Sequence, residues 1–372
     1  MKKLNLFLRK SCGMKVLGLA VVIGIMSIIS SLQNASANEK IINFRLNKLP
    51  SITSTNFSLV DSPRGETPDL ILDLDGDHDK ILNKISKDPN NLVTISSINK
   101  KIIFHEYHHG FDQNTPLFVY SVTKSFTAMM LIEEFCSKGY DSLDIPLGKY
   151  SPRLVGTSYE NINIRDALNM QSGHGKTFFK NTQIPMFMSF FKKEKNAMDW
   201  LNASSSDAGP GENFWYNAND TNALGILLED ISGKKIHENF YDKFTSKINP
   251  FGNIYWMKAR DDENIGAYGL MANARDLIQL SYVFLDKISN HSCISSFYSS
   301  MWKNNASNRK YAFQIWIPNS ERNKQDIEKF YMNGHGGQRI VVDLKSQIIT
   351  FVYSVTHKYD DGGLDNILFG SN

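Results

Sequence analysis

Two short runs rich in β-branched residues, Leu92-Val93-Thr94-Ile95-Ser96-Ser97-Ile98 and Lys101-Ile102-Ile103-Phe104-His105-Glu106-Tyr107, flank the polar pair Asn99-Lys100. That pattern predicts an antiparallel hairpin. Over residues 121–138 the period changes: Val122, Phe126, Met129, Met130, Ile132 and Phe135 leave almost no polar face, and Gly139 supplies a stop. A helix that is apolar nearly all round belongs inside a core. Helical spacing continues through most of residues 151–300, including 164–170, 221–231 and 274–285. Strand-like runs return at 311–316, 339–344 and 348–355. Strands at both ends with helices between them predict an α+β (α/β) fold. In it one antiparallel sheet is assembled from the two ends of the domain, flanked by helices and interrupted by an inserted helical region.

Upstream of residue 91 no period is sustained. Residues 38–90 are polar and broken by Pro50, Pro63, Pro68 and Pro89, and they read as an extension leading into a domain over 91–372. Before them, Lys2, Lys3, Arg9, Lys10 and Lys15 precede an uncharged apolar run over 16–29 and the small-residue triplet Ala35-Ser36-Ala37. This order reads as a secretory signal peptide, residues 1–37, cut before Asn38. The apolar run is shorter than the roughly 20 residues needed to cross a bilayer, which favours cleavage over a retained anchor. The expected location is the periplasm or the exterior, with no membrane association after cleavage.

A chain of 372 residues, 41% hydrophobic, can bury one large core or two smaller ones. Of its 41 basic residues five leave with the leader, so 36 face 38 acidic ones, and the mature chain gives no reason to expect nucleic acid as a partner. Cys12 leaves as well. The remaining pair, Cys136 and Cys293, is too few for a disulfide scaffold, and the apolar surroundings of Cys136 favour buried free thiols over a bond between them.

Three segments carry candidate chemistry. Ser121-Val122-Thr123-Lys124 puts a hydroxyl at the head of the buried helix and an amine one turn later on the same face. Serine needs a base to take its proton, and a lysine can serve if burial favours its neutral form. Phe214-Trp215-Tyr216-Asn217-Ala218-Asn219-Asp220 follows Gly209-Pro210-Gly211 and precedes a helix, a place from which the Tyr216 phenol can relay a proton. Asn333-Gly334-His335-Gly336-Gly337-Gln338 precedes a strand, and its glycines allow a substrate close to backbone donors. Taken singly these read as an exposed turn, a half-buried packing tyrosine and a glycine-rich loop.

Taken together and in this order, they resemble the three motifs of the serine β-lactamase and penicillin-binding-protein family: Ser-x-x-Lys, Tyr-x-Asn or Tyr-x-Ser, and Lys/His-Thr/Gly-Gly. The likeness is to the class C-like branch, which holds β-lactamases, D-alanyl carboxypeptidases, esterases and aminohexanoate-oligomer hydrolases. Residues 164–174, Ile-Arg-Asp-Ala-Leu-Asn-Met-Gln-Ser-Gly-His, and 270–277, Leu-Met-Ala-Asn-Ala-Arg-Asp-Leu, are similar to further stretches of that branch. The resemblance implies an exported hydrolase of a small amide or ester, cell-wall fragments among the candidates, acting without metal or organic cofactor. It implies an acyl-enzyme on Ser121, assisted by Lys124 and Tyr216. It also implies an oxyanion held by the backbone amides of Ser121 and Gln338 beside Gly336 and Gly337, with His335 facing Tyr216.

Two departures bear on substrate. Ala218 stands where the family has Asn or Ser, so Asn217 or Asn219 must substitute if that hydrogen bond is kept. His335 and Gly336 replace the Lys and Thr that help bind a substrate carboxylate, a loss for which Arg339 is the candidate compensation. The alternatives are a β-lactamase or D-alanyl-D-alanine carboxypeptidase and, outside catalysis, a penicillin-binding-like regulatory or binding protein.

Two other motifs point elsewhere. His105-Glu106-Tyr107-His108-His109 spells H-E-x-x-H, which binds zinc only on a helix. Here it ends a strand-like run, and in a strand its histidines stand roughly 13 Å apart. Asp73-Leu74-Asp75-Gly76-Asp77-His78-Asp79 has its glycine fourth and Lys84 twelfth, against the sixth and twelfth positions of an EF-hand, and reads as a solvated acidic loop. No G-x-S-x-G elbow occurs.

Overall fold

A computed structural model describes residues 56–62, 77–174, 185–304 and 309–355, all within one compact unit spanning 52–372. The leader over 1–37 and the acidic loop over 73–76 lie outside the described residues.

The hairpin forms as its pattern predicts: β2 (Asn91–Ile98) pairs antiparallel with β3 (Lys101–Tyr107). Asn99 and Lys100 both take positive φ, 50° and 68°, the twist that lets a two-residue turn match its strands. The C-terminal strands β9 (Lys329–Gly334), β10 (Gln338–Asp343) and β11 (Ile348–Ser354) form a meander. β11 then pairs with β2, which closes a seven-stranded sheet from the two ends of the domain. The short strands β7 (Tyr311–Ala312) and β8 (Ile315–Trp316) extend it beyond β9.

The helix α2 (Thr123–Ser137) is buried on nearly every face, as its composition requires. It packs against α5 (Ala218–Ser232), a second helix buried almost all round over its first twelve residues. The amphipathic α7 (Ala274–Asn290) covers the inner face of the sheet against β2 and β11. Between these lie α3 (Ile164–Leu168), a helical segment over 185–191, α4 (Ala197–Asn202) and α6 (Ile236–Lys243); α8 (Ser292–Asn304) follows α7.

The lead-in over 38–90 is more than an extension, a correction for two of its segments. The strand β1 (Phe57–Asp61) heads a second sheet in the order β1–β5–β6–β4, with β4 at Leu117–Phe118, β5 at Ile254–Met257 and β6 at Leu270–Ala272. The helix α1 (Asp77–Ser86) buries Leu82 and Ile85 on the outer sheet face against Ile103, Tyr331, Val341 and Val352. Both elements are short and α1 is mostly polar, so their apolar positions only count once a partner face exists.

The two cysteines are corrected as well. Cys136 and Cys293 form a disulfide with Cα atoms 5.9 Å apart, because the end of α2 meets the start of α8, an encounter invisible across 157 residues of sequence. H-E-x-x-H lies on β3 and the turn after it. There His108 bonds Ser86, and both approach Glu106, so the motif ties α1 to the sheet rather than presenting two imidazoles on a helix.

Candidate active site

Ser121 sits in a single 3₁₀ turn, Tyr120–Val122, that runs directly into α2. Tyr120, the residue before it, is held at φ +47°, a left-handed conformation uncommon outside glycine. This sharp entry projects the hydroxyl from the head of a buried helix. One turn on, Lys124 is 1% exposed, and its Nζ donates to Ser121 Oγ at 3.1 Å and to the Ala267 carbonyl at 2.8 Å. That carbonyl belongs to a residue whose own amide bonds Asn222 of α5.

Aromatic rings complete the surroundings of the amine. Its Nζ lies 5.5 Å from the Tyr216 ring centroid and 5.1 Å from that of Tyr268. Burial removes the hydration that a charged ammonium needs and pushes the Lys124 pKa down to about 7, while the Asp220 carboxylate pulls the other way. A lysine poised there can hold or release a proton at neutral pH.

Tyr216 is positioned from both sides. Trp215 N donates to Met170 O at 2.9 Å, which fastens the segment to the loop leaving α3. The Tyr216 ring packs 5.7 Å from Tyr311 and 5.5 Å from Trp316, residues of β7 and β8 at the sheet end. The glycine-rich hairpin arrives from the same sheet. A Cβ on Gly334 would collide with the carbonyl of Val119, so only glycine lets β9 end this close to the turn that carries Ser121. Gly336 and Gly337 then turn the chain at φ 82° and 101° into β10. Exposed His335 sets its ring edge-on to Tyr120, centroids 6.0 Å apart. Gln338 is fully buried at the start of β10, opposite Gly334, its side-chain amide donating to Ser354 O at 3.3 Å. Ser121, Lys124, Tyr216 and the 334–338 hairpin thus meet at one place.

Other predicted residues do not take the places expected of them. Asn217 is the N-cap of α5: its Oδ1 accepts from Asn219 N at 2.9 Å, and its Nδ2 points to Tyr159, Asp220 and the His174 carbonyl. Asn219 is fully buried and donates to Ser204 Oγ at 2.8 Å and to Trp200 O. Neither replaces the side chain lost at Ala218, because a capped helix start turns both amides inward. Ala218 itself joins an apolar cluster with Phe118, Phe190, Tyr268 and Met271. Arg339 offers no compensation at the cleft: alternation along β10 turns it to the outer face, where its guanidinium lies 4.6 Å over the Tyr331 ring.

Asp220, Tyr268 and Gln314 carried no role in the sequence reading. Asp220 is fully buried, and its Oδ1 accepts from Tyr159 OH at 2.8 Å and Ser172 Oγ at 2.7 Å, while Oδ2 has no partner among the described residues. Burial raises its pKa to about 7. Gln314 ties the site's scaffold together. Its carbonyl accepts from Ser125, its Oε1 from Thr221, and its Nε2 donates to the Ala167 and Leu168 carbonyls. No local pattern marks it or Tyr268.

A family model described as Beta-lactamase matches residues 93–367. Among solved structures, a protein assigned as a 6-aminohexanoate-dimer hydrolase from Bacillus anthracis superposes with a TM-score of 0.68 at 19% identity, covering 84% of this chain and 88% of that one. A penicillin binding protein from Bacillus halodurans gives 0.56 at 16%, covering 80% and 98%. EstCE1, a hydrolase with promiscuous acyltransferase activity, gives 0.58 at 12%, covering 79% and 97%. At such identities the likeness is one of fold. No curated protein matches the chain.

Proposed function

This chain belongs to the beta-lactamase family, and from that premise we propose that it is an exported serine hydrolase that cleaves a small amide or ester through an acyl-enzyme on Ser121. The observation that carries the reading is the Lys124 amine, buried and 3.1 Å from the Ser121 hydroxyl. In the proposed sequence, neutral Lys124 takes the hydroxyl proton as Oγ bonds to the substrate carbonyl carbon. The backbone amides of Ser121 and Gln338 hold the oxyanion, aided at the first by the start of α2. As the tetrahedral intermediate collapses, the proton passes by way of Tyr216 to the leaving amine or alcohol. Water then enters, gives a proton back along the same path, and releases the acid with Ser121 restored. His335, joined to Tyr120 by ring contact, is the polar group of the rim.

Export is supported by the leader pattern over 1–37 and by the Cys136–Cys293 disulfide, a bond that persists in oxidising compartments. Intact-mass labelling with a fluorophosphonate tests the nucleophile: wild type gains one adduct and Ser121→Ala gains none. A folded wild type that stays unlabelled removes the hydrolase reading and favours a binding relative. A panel of simple esters, D-amino-acid peptides and a chromogenic cephalosporin then separates an esterase or amidase from a β-lactamase or carboxypeptidase.

A further inference from the structure

Two aromatic groups that differ in character reach the Lys124 amine, one through Tyr216 and the other through Tyr268. On one side stand Tyr216, Tyr311 and Trp316, the side from which a leaving group would receive its proton. On the other, Tyr120 packs 4.8 Å from Phe118 and 5.6 Å from Phe187, and Phe187 lies 5.5 Å from Tyr268 and 6.3 Å from Phe191. Tyr120, Phe187 and Phe191 are only partly buried against this cluster, so ring surface remains open next to the nucleophile. Ala218, two residues beyond Tyr216, lies in the same cluster and adds a methyl group to it. Among the described residues the cation beside the hydroxyl is Lys124, which is buried and engaged with it.

We propose that the wall of Tyr120, Phe187 and Phe191 binds the acyl part of the substrate, and that this part is uncharged and apolar: an alkyl or aryl chain rather than a peptide or a carboxylate. The inference rests on the hydrolase reading above. Its physical basis is that half-buried rings gain from covering hydrocarbon and lose if they must strip water from a charge or an amide. Since the leaving group occupies the Tyr216 side, selectivity falls on the acyl side of the scissile bond.

The test measures kcat/KM for nitrophenyl acetate, butyrate, phenylacetate and succinate esters, and for a second series that varies only the alcohol of an acetate. Butyrate and phenylacetate should exceed acetate by about tenfold, succinate should fall below butyrate by at least as much, and the alcohol series should be flatter. Phe187→Ala should cut the butyrate-to-acetate ratio by about fivefold, Phe191→Leu should cut it less, and exposed Val155→Ala should leave it alone. Fluorophosphonate labelling of each variant establishes that it is folded with Ser121 intact. The wild-type series decides the matter even if a variant fails to fold. Equal rates for acetate and butyrate, a preference for succinate, or a Phe187 effect confined to the alcohol series would overturn the proposal. In those cases turnover and labelling persist, whereas loss of both in wild type would instead mean that the hydrolase reading is wrong.

Discussion

At the residue scale the site depends on one amine kept near its neutral point. The Lys124 pKa is held near 7 by burial, and the Asp220 carboxylate, itself raised to about 7 by burial, opposes that fall. If neutral Lys124 is the base, acylation should rise with pH and level off above about 7. Asp220→Asn removes the group that favours the ammonium, so the rising limb should move to lower pH, a shift read from the pH dependence of ester kcat/KM. A limb that stays in place would mean that Asp220 acts only through its bonds to Tyr159 and Ser172. The same scale explains the outcome at Asn217 and Asn219. Their residue types suit either a substrate or a buried polar role; capping takes Asn217, because an uncapped buried helix end costs about 1 kcal/mol, and the Asn219 amide is tied to Ser204 and Trp200.

At the scale of elements, the turn that carries Ser121 runs into α2, and α2 is anchored at its far end by Cys136–Cys293. A crosslink that closes a loop of 157 residues restricts the unfolded chain strongly. Replacing both cysteines by serine should lower the unfolding free energy by roughly 2–4 kcal/mol, measured as a drop in the urea midpoint with the slope retained. Dithiothreitol should reproduce that drop in wild type and do nothing to the double variant. Turnover at 25 °C should survive, since the bond lies at the opposite end of the helix from Ser121. The helix α1 and the strand β1 belong to this scale too: each finds its apolar partners on a sheet, which is why a segment that looks like a lead-in is part of the fold.

For the whole molecule, burial has left carboxyl groups whose ionisation the folded state resists. Glu263, 7% exposed and close to Glu229, has its pKa raised to about 7 from 4.5, with desolvation the larger cause. A raised value means that the folded protein binds the proton more tightly. The stability it contributes is therefore complete below about pH 4.5 and is lost as pH climbs through about 7. Asp220 acts in the same direction, whereas Lys124, lowered from 10.5 to about 7, gains back stability as pH rises through that higher window. Urea midpoints should accordingly fall between pH 5 and pH 7.5 in wild type, and fall less in Glu263→Gln. An equal fall in both would remove Glu263 as a cause.

Strands near the two ends of the domain with helices between them, the hairpin at Asn99-Lys100, the buried helix after Ser121 and the three motifs could be read from the chain, because each is written in local spacing. Period, turn residues and capping act over a few positions, and a sequence displays them directly. The tertiary structure alone decided that the sheet closes through β11 on β2, that Cys136 reaches Cys293, that Arg339 lies on the outer sheet face, and that Asp220, Tyr268 and Gln314 gather around the start of α2. Those facts depend on desolvation and on contacts between residues tens to hundreds of positions apart, and neither exists until the chain has folded.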